Sequence, residues 1–255
     1  MFANRKRWTP AWLLVAIVCV GVLAVMYKYG GEDKNGEPDT KRDKASTATT
    51  ERPDMAGEGI TVVVDAGHGG IDPGKVGVHD EKEKDINLSM AKKLEEKLTE
   101  QGYTVVMTRT EDSGMYSDGD SNKKMADMKA RIALITETEP KLVVSIHQNS
   151  FTQPSSKGAQ VFYYEKSEEG KVLAQTLQET IKSVIGDGNK RQAKANTNYY
   201  MLLHTPCTMV IVECGFLSNP EEALLLSDDS YQEKMMDAIC QGINNYVKSE
   251  DKENQ

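Results

Sequence analysis

The chain lacks several features that would each name a chemistry. It has no HExxH pair, so the arrangement of two metal-binding histidines and a base on one helix is absent. There is no GxSxG elbow to expose a serine nucleophile and no GxxxxGK(S/T) loop to cradle phosphates. Cysteine is scarce: Cys19, Cys207, Cys214 and Cys240 are the only four, and none forms a CxxC pair. Cys19 lies in an apolar run, and the three others cannot all pair within one chain. Neither a disulfide scaffold nor a zinc ribbon is supported, and the cysteines read as small apolar residues on buried strands and a helix. A surplus of basic charge is missing too. The formal net charge is −8, which argues against non-specific nucleic-acid binding, since that needs clustered Lys and Arg. No internal repeat is visible.

What is present divides the chain. Its 255 residues suffice for one domain with a full core, or for two small ones. Ala11 to Tyr27 carries no charged residue. At about 1.5 Å per residue it spans roughly 26 Å, slightly short of a hydrocarbon core of about 30 Å. Trp8, Trp12, Tyr27 and Tyr29 sit near its ends, and Arg5, Lys6 and Arg7 precede it. This pattern predicts a membrane helix with its N-terminus in the cytoplasm and the rest of the chain outside. No A-x-A site closes the run, which favours an uncleaved anchor over a signal peptide. Gly30 to Glu58 has almost no large apolar residue and reads as a flexible tether. The expected organisation is a basic segment over 1–10, a transmembrane anchor over 11–29, a linker over 30–58, a globular domain over 59–249 and a charged tail over 250–255.

Inside the domain, apolar runs alternate with helical periodicities. Strands are expected at Ile60 to Val64, Tyr103 to Thr108, Leu142 to Ile146, Gly158 to Tyr164, Tyr200 to Leu203 and Met209 to Val212. Ile86, Met90, Leu94 and Leu98 recur on one helix face, with Asp85 as the expected N-cap and Gly102 as the stop. Further helices are expected around Met125 to Ile135, Val172 to Ile185 and Ser230 to Val247. This interleaving predicts an α/β domain with a largely parallel sheet covered on both faces.

The chemistry-bearing residues fall at strand ends. Of the four histidines, His68 and His147 stand just past β-branched runs, whereas His79 and His204 do not. Ligand sites of open α/β sheets lie outside the carboxyl ends of the strands, so these two imidazoles can meet there as metal ligands. Catalytic zinc takes three protein ligands and keeps one open position. The segment after His68 offers His79, Asp80, Glu81, Glu83 and Asp85, and spacing alone leaves Glu83 only slightly ahead of Glu81 and His79. Met209 to Val212 leads directly to Glu213. A carboxylate at the end of a buried strand is costly unless paired or used, so Glu213 is either salt-bridged or a general base.

At these residues the chain resembles the zinc-dependent N-acetylmuramoyl-L-alanine amidases of the amidase-3 family, over about Ile60 to Val247. The segments that carry the likeness run from Val62 to Gly70, from Glu83 to Leu88, from Ser145 to Ser150 and from Val212 to Asn219. Four motifs in order are far more specific than any one of them. Ala66 stands where the family usually has Pro, and Gln148 and Ser150 where small residues are commoner. The resemblance implies a twisted, mostly parallel six-stranded sheet flanked by helices. It implies that His68, Glu83 and His147 bind Zn2+. It also implies that Glu213 takes a proton from water and passes it to the leaving amine, cutting the amide between the lactyl group of N-acetylmuramic acid and L-alanine in peptidoglycan. Within the family the chain is most similar to the CwlD-type spore-cortex amidases, through the single anchor, the compact domain, the stretch from Arg191 to Asn196 and the stretch from Asn219 to Glu222. That likeness implies a role in cortex maturation toward muramic-δ-lactam, a place between the spore membranes, and a lipoprotein partner. The rival readings are an inactive peptidoglycan-binding module and a zinc carboxypeptidase of stem peptides. An intact Glu213 argues against the first. Ile71 three residues after His68, in place of the glutamate of an HxxE pair, argues against the second.

Overall fold

The computed structural model describes residues 56–253. The expected anchor and most of the expected linker lie outside the described residues, as does Cys19. No described helix is long and apolar enough to cross a membrane. Residues 56–58, assigned to the linker by composition, form a turn with Gly59 in which the Gly57 amide donates to Gln101 O.

Six strands form one sheet: β1 Thr61–Ala66, β2 Thr104–Met107, β3 Leu142–Asn149, β4 Gln160–Tyr164, β5 Lys194–Asn196 and β6 Met209–Phe216, in the order β2-β1-β3-β6-β4-β5. All pairings are parallel except β4 with β6. The helices are α1 Glu83–Glu100, α2 Lys123–Thr138, α3 Glu168–Ile185, α4 Tyr200–His204, α5 Pro220–Ser227 and α6 Asp229–Glu253. The mostly parallel α/β architecture expected from the interleaved pattern is the one observed.

Side chains alternate across a strand, so neighbouring Val62, Val63 and Val64 feed opposite faces. Val62 and Val64 pack with Met90, Leu94, Leu177 and Ile239 from α1, α3 and α6. Val63 packs on the other face with Ile135 from α2 and Met201 and Leu202 from α4. Both faces are therefore covered, which is why the central strands read as unbroken apolar runs.

Two local expectations are corrected, and two elements are added. Tyr200 to Leu203, expected as a strand, is the short helix α4, which turns Met201 and Leu202 into the core. An apolar run this short fits either structure, and burial decides. The helix that carries the second motif starts at Glu83, with Lys82 rather than Asp85 at the cap position. Asp85 instead lies in the first turn, where its charge opposes the positive end of the helix dipole. Helix α5 and strand β5 were not anticipated. Asn219 caps α5 by accepting from the Glu221 and Glu222 amides, and Pro220 begins it. β5 is three residues long and carries no apolar pattern.

Leu94 is fully buried in the core between α1 and the sheet. Leu94→Ala is expected to lower stability by about 2–5 kcal/mol, seen as a lower denaturation midpoint at unchanged slope.

Candidate metal centre

On one face of the central strands, the side chains change character toward the carboxyl ends. Val63 is followed by Asp65 on β1, Val143 by Ser145 and His147 on β3, and Met209 and Ile211 by Glu213 on β6. The register pairs Asp65 with Ser145 and His147 with Glu213. The same face thus turns from apolar core to polar groups within two residues of each strand. β3 and β6 run past the expected ends, so His147 and Glu213 are strand residues and not loop residues.

His68 lies just past β1 in the left-handed backbone region, at φ 61°. Its Nδ1 is 3.0 Å from Asp72 Oδ2, which directs Nε2 to a point 3.2 Å from Glu83 Oε2. His147 Nδ1 is 2.9 Å from Glu83 Oε1. The two rings meet edge to face, with centroids 4.9 Å apart. Glu83 is also held by backbone donors: the Lys75 amide to Oε2 at 2.8 Å and the Gln148 amide to Oε1 at 3.1 Å. One ligand atom from each of His68, Glu83 and His147 falls within 4.8 Å of the others.

Position 67 must be glycine for this packing. A Cβ there would stand 2.2 Å from His147 Nε2.

Electrostatics favour a cation. Burial alone would raise the Glu83 carboxyl, but both imidazoles outweigh it and hold it far below the usual carboxylate range. Burial lowers the His147 imidazole, yet contact with Glu83 raises it overall. An ionised carboxylate between two imidazoles, one of them oriented by a further carboxylate, is a donor set that fits a divalent metal.

Glu213 sits apart from this trio in the same cleft, which has a volume of about 400 Å³ and is also lined by Lys75 and Tyr199. Burial pushes its carboxyl up to about 7, with His147 opposing and Glu83 reinforcing the shift. Among the described residues, its buried Oε2 has no hydrogen-bond partner. The salt-bridged alternative for Glu213 therefore has no support in the geometry.

The other candidates of the second segment are not brought in. His79 is exposed, with Nε2 3.3 Å from Pro220 O, and the Glu81 carboxylate accepts from the His79 amide. Asp80 and Asp85 are exposed. His204 is exposed on α4, its ring against Tyr200. Cys207, Cys214 and Cys240 are free, and the latter two are buried.

The residues that sequence reasoning missed lie beneath the cluster. Asp65 is buried and accepts from Arg131 Nη1 at 2.7 Å, Thr108 Oγ1 at 2.8 Å and the Ser145 hydroxyl. Arg109 and Arg131, also buried, donate to backbone carbonyls of the segment that carries His68. Asn87 links Gly67 O and, at 3.5 Å, Glu83 Oε1.

The mostly parallel sheet and the His-Glu-His group at the carboxyl ends of its strands, beside a free buried carboxylate, define an α/β domain with a donor set suited to a metal ion. The chain belongs to the amidase-3 family: the family model described as N-acetylmuramoyl-L-alanine amidase matches residues 62–245. It is 36% identical over 191 residues to the germination-specific N-acetylmuramoyl-L-alanine amidase of Bacillus subtilis, covering 74% of this chain and 80% of that protein. The solved CwlD amidase of Clostridioides difficile, in complex with the GerS lipoprotein, is 38% identical with a TM-score of 0.72, covering 74% of this chain and 99% of that one. An N-acetylmuramoyl-L-alanine amidase of Clostridium difficile 630 is 32% identical with a TM-score of 0.66, covering 74% and 97%.

Asp65 gives this platform a pH dependence. Burial would raise its carboxyl, but Arg131 and Ser145 override that and hold it at about 2, below its ordinary 3.8. A depressed folded value means the folded state binds the proton more weakly. The stabilisation, on the order of 2 kcal/mol, is complete above about pH 4 and is lost as pH falls through about 2. The stability gap between the wild type and Asp65→Asn is therefore expected to narrow between pH 5 and pH 2 in denaturant titrations. A gap independent of pH would contradict this linkage.

Proposed function

We propose that this amidase is zinc-dependent, with His68, Glu83 and His147 as the metal ligands and Glu213 as the general base and acid. The carrying observation is the buried, unpartnered Glu213 carboxylate beside, but outside, the three-donor group. When bound, zinc supplies Lewis-acid polarisation of the scissile carbonyl and lowers the pKa of coordinated water to about 7.

The protein's own groups do the rest. Asp72 fixes the His68 ring so that its Nε2 faces the centre. The Lys75 and Gln148 amides fix the Glu83 carboxylate. Glu213 accepts the proton of the attacking water and delivers it to the L-alanine nitrogen as the C–N bond breaks. The products are the lactyl carboxylate of the muramic acid and a free amine on the stem peptide. A carboxyl whose burial places its pKa near neutrality suits both halves of this transfer.

The biological setting follows from the relatives and the N-terminal sequence. Likeness to a germination-specific amidase and to CwlD supports action on peptidoglycan in spore cortex maturation, on the way to muramic-δ-lactam. The basic residues before the apolar run at Ala11 to Tyr27 support a membrane anchor with the catalytic domain outside the cytoplasm, and the likeness to the spore amidases supports the space between the forespore membranes. The capture of CwlD with a lipoprotein supports a lipoprotein partner here as well.

Two variants separate the roles. Glu213→Gln is expected to keep bound zinc while the rate of amide cleavage falls about 100- to 10,000-fold. The check is release of new L-alanine N-termini from peptidoglycan, with muropeptides identified by mass spectrometry. Near-normal release would remove Glu213 from its role. His147→Ala is expected to lose most bound zinc by elemental analysis, and full occupancy would break the proposed triad.

A further inference from the structure

Residues 66–68 present three consecutive backbone carbonyls on the cluster side of the fold, and side-chain donors meet all three. Ala66 O accepts from Arg109 Nε at 2.9 Å and Arg131 Nη1 at 2.7 Å. Gly67 O accepts from Arg109 Nη2 at 3.1 Å and Asn87 Nδ2 at 3.0 Å. His68 O accepts from Arg131 Nη2 at 2.7 Å. The two guanidinium groups differ in what else they reach. Arg131 turns to the acids Asp65 and Asp127. Arg109 Nη2 also donates to Lys84 O at 2.7 Å.

That second bond ties together two segments that are distant in the chain. Gly67 precedes His68, and Lys84 follows Glu83. A single nitrogen of Arg109 bridges the carbonyl beside one proposed ligand to the carbonyl beside another. We infer that Arg109 is a positioning residue for the metal centre: its guanidinium staples the loop bearing His68 to the helix start bearing Glu83 and so sets the distance between these two donors.

The chemistry of the side chain supports the assignment. A planar fork with five donors can serve Ala66 O, Gly67 O, Lys84 O and, through Nη1, Glu111 O at 3.1 Å. A lysine ammonium at this site is a single point that cannot span the same carbonyls. The neighbouring geometry leaves the fork little freedom, since Gly69 passes so close that a Cβ there would lie 2.9 Å from Arg109 Nε. Side chains behind a metal site typically change metal affinity about 10- to 100-fold when replaced.

The inference rests on the proposed zinc ligands, and the test keeps the two apart. Wild type, Arg109→Lys, Arg109→Gln and Leu94→Ala are prepared without metal, and zinc affinity is measured by chelator competition. Cobalt(II) is then substituted to record the absorption bands that report ligand geometry. Leu94→Ala loses stability at a site remote from the cluster and shows what instability alone does. The expected result is a 10- to 100-fold loss of zinc affinity and an altered cobalt spectrum in at least one folded Arg109 variant. Leu94→Ala is expected to keep both wild-type properties.

Folded Arg109 variants with wild-type affinity and spectrum would overturn the inference. So would an affinity loss no greater than that of Leu94→Ala, or failure of both Arg109 variants to fold, which would make the residue one of general stability. A wild type that takes up no zinc would instead overturn the ligand assignment itself, and this inference with it.

Discussion

The Glu83 carboxylate imposes the strongest condition on this structure. An ionised group with 2% of its surface exposed must be compensated almost entirely by protein. Two imidazoles and two backbone amides do this, drawn from the segment after β1, from the loop before α1 and from β3. Those segments converge only because β1 and β3 are adjacent, parallel and in a register that ends them at one edge of the sheet. The helix that carries Glu83 packs its apolar face on the same strands. Sheet order, helix placement and donor geometry are consequences of one another, and none of them is local in sequence.

Much of this was legible in advance, for a physical reason. Strands buried on both faces write themselves as β-branched runs, so the approaches to His68, His147 and Glu213 stood out. A charged or imidazole side chain directly after such a run has few inexpensive structural explanations. Spacing puts Glu83 only slightly ahead of Glu81 and His79, because all three fall within one short polar stretch. It took motif resemblance to single out Glu83, and the fold places that residue, not the other two, between the rings. The misread segment at Tyr200 shows the opposite limit: four residues of mixed apolar type carry no period long enough to tell a strand from a helical turn.

Arg109 and Arg131 were invisible for a different reason. Arg109 reaches only backbone carbonyls, and Arg131 meets the His68 segment through backbone carbonyls as well, which every residue has, so no pattern of side chains marks these contacts. Nothing in the sequence around Arg109 distinguishes it from a surface residue following a strand, yet it is 4% exposed. The polarity change along β1, β3 and β6 was half visible. Its chemical ends were readable, but the pairing of His147 with Glu213 needed the register.

The glycine at position 67 carries a consequence for how this molecule can fail. On the face that carries His147 the hydrophobic cluster stops short of the strands' carboxyl ends, so a methyl group at position 67 would leave most of the core undisturbed while driving the His147 ring from its seat. Solubility and turnover are separable properties here. A library of variants sorted only for well-expressed protein would retain inert chains, and the side of residue 67 that faces the imidazole has room for one hydrogen atom.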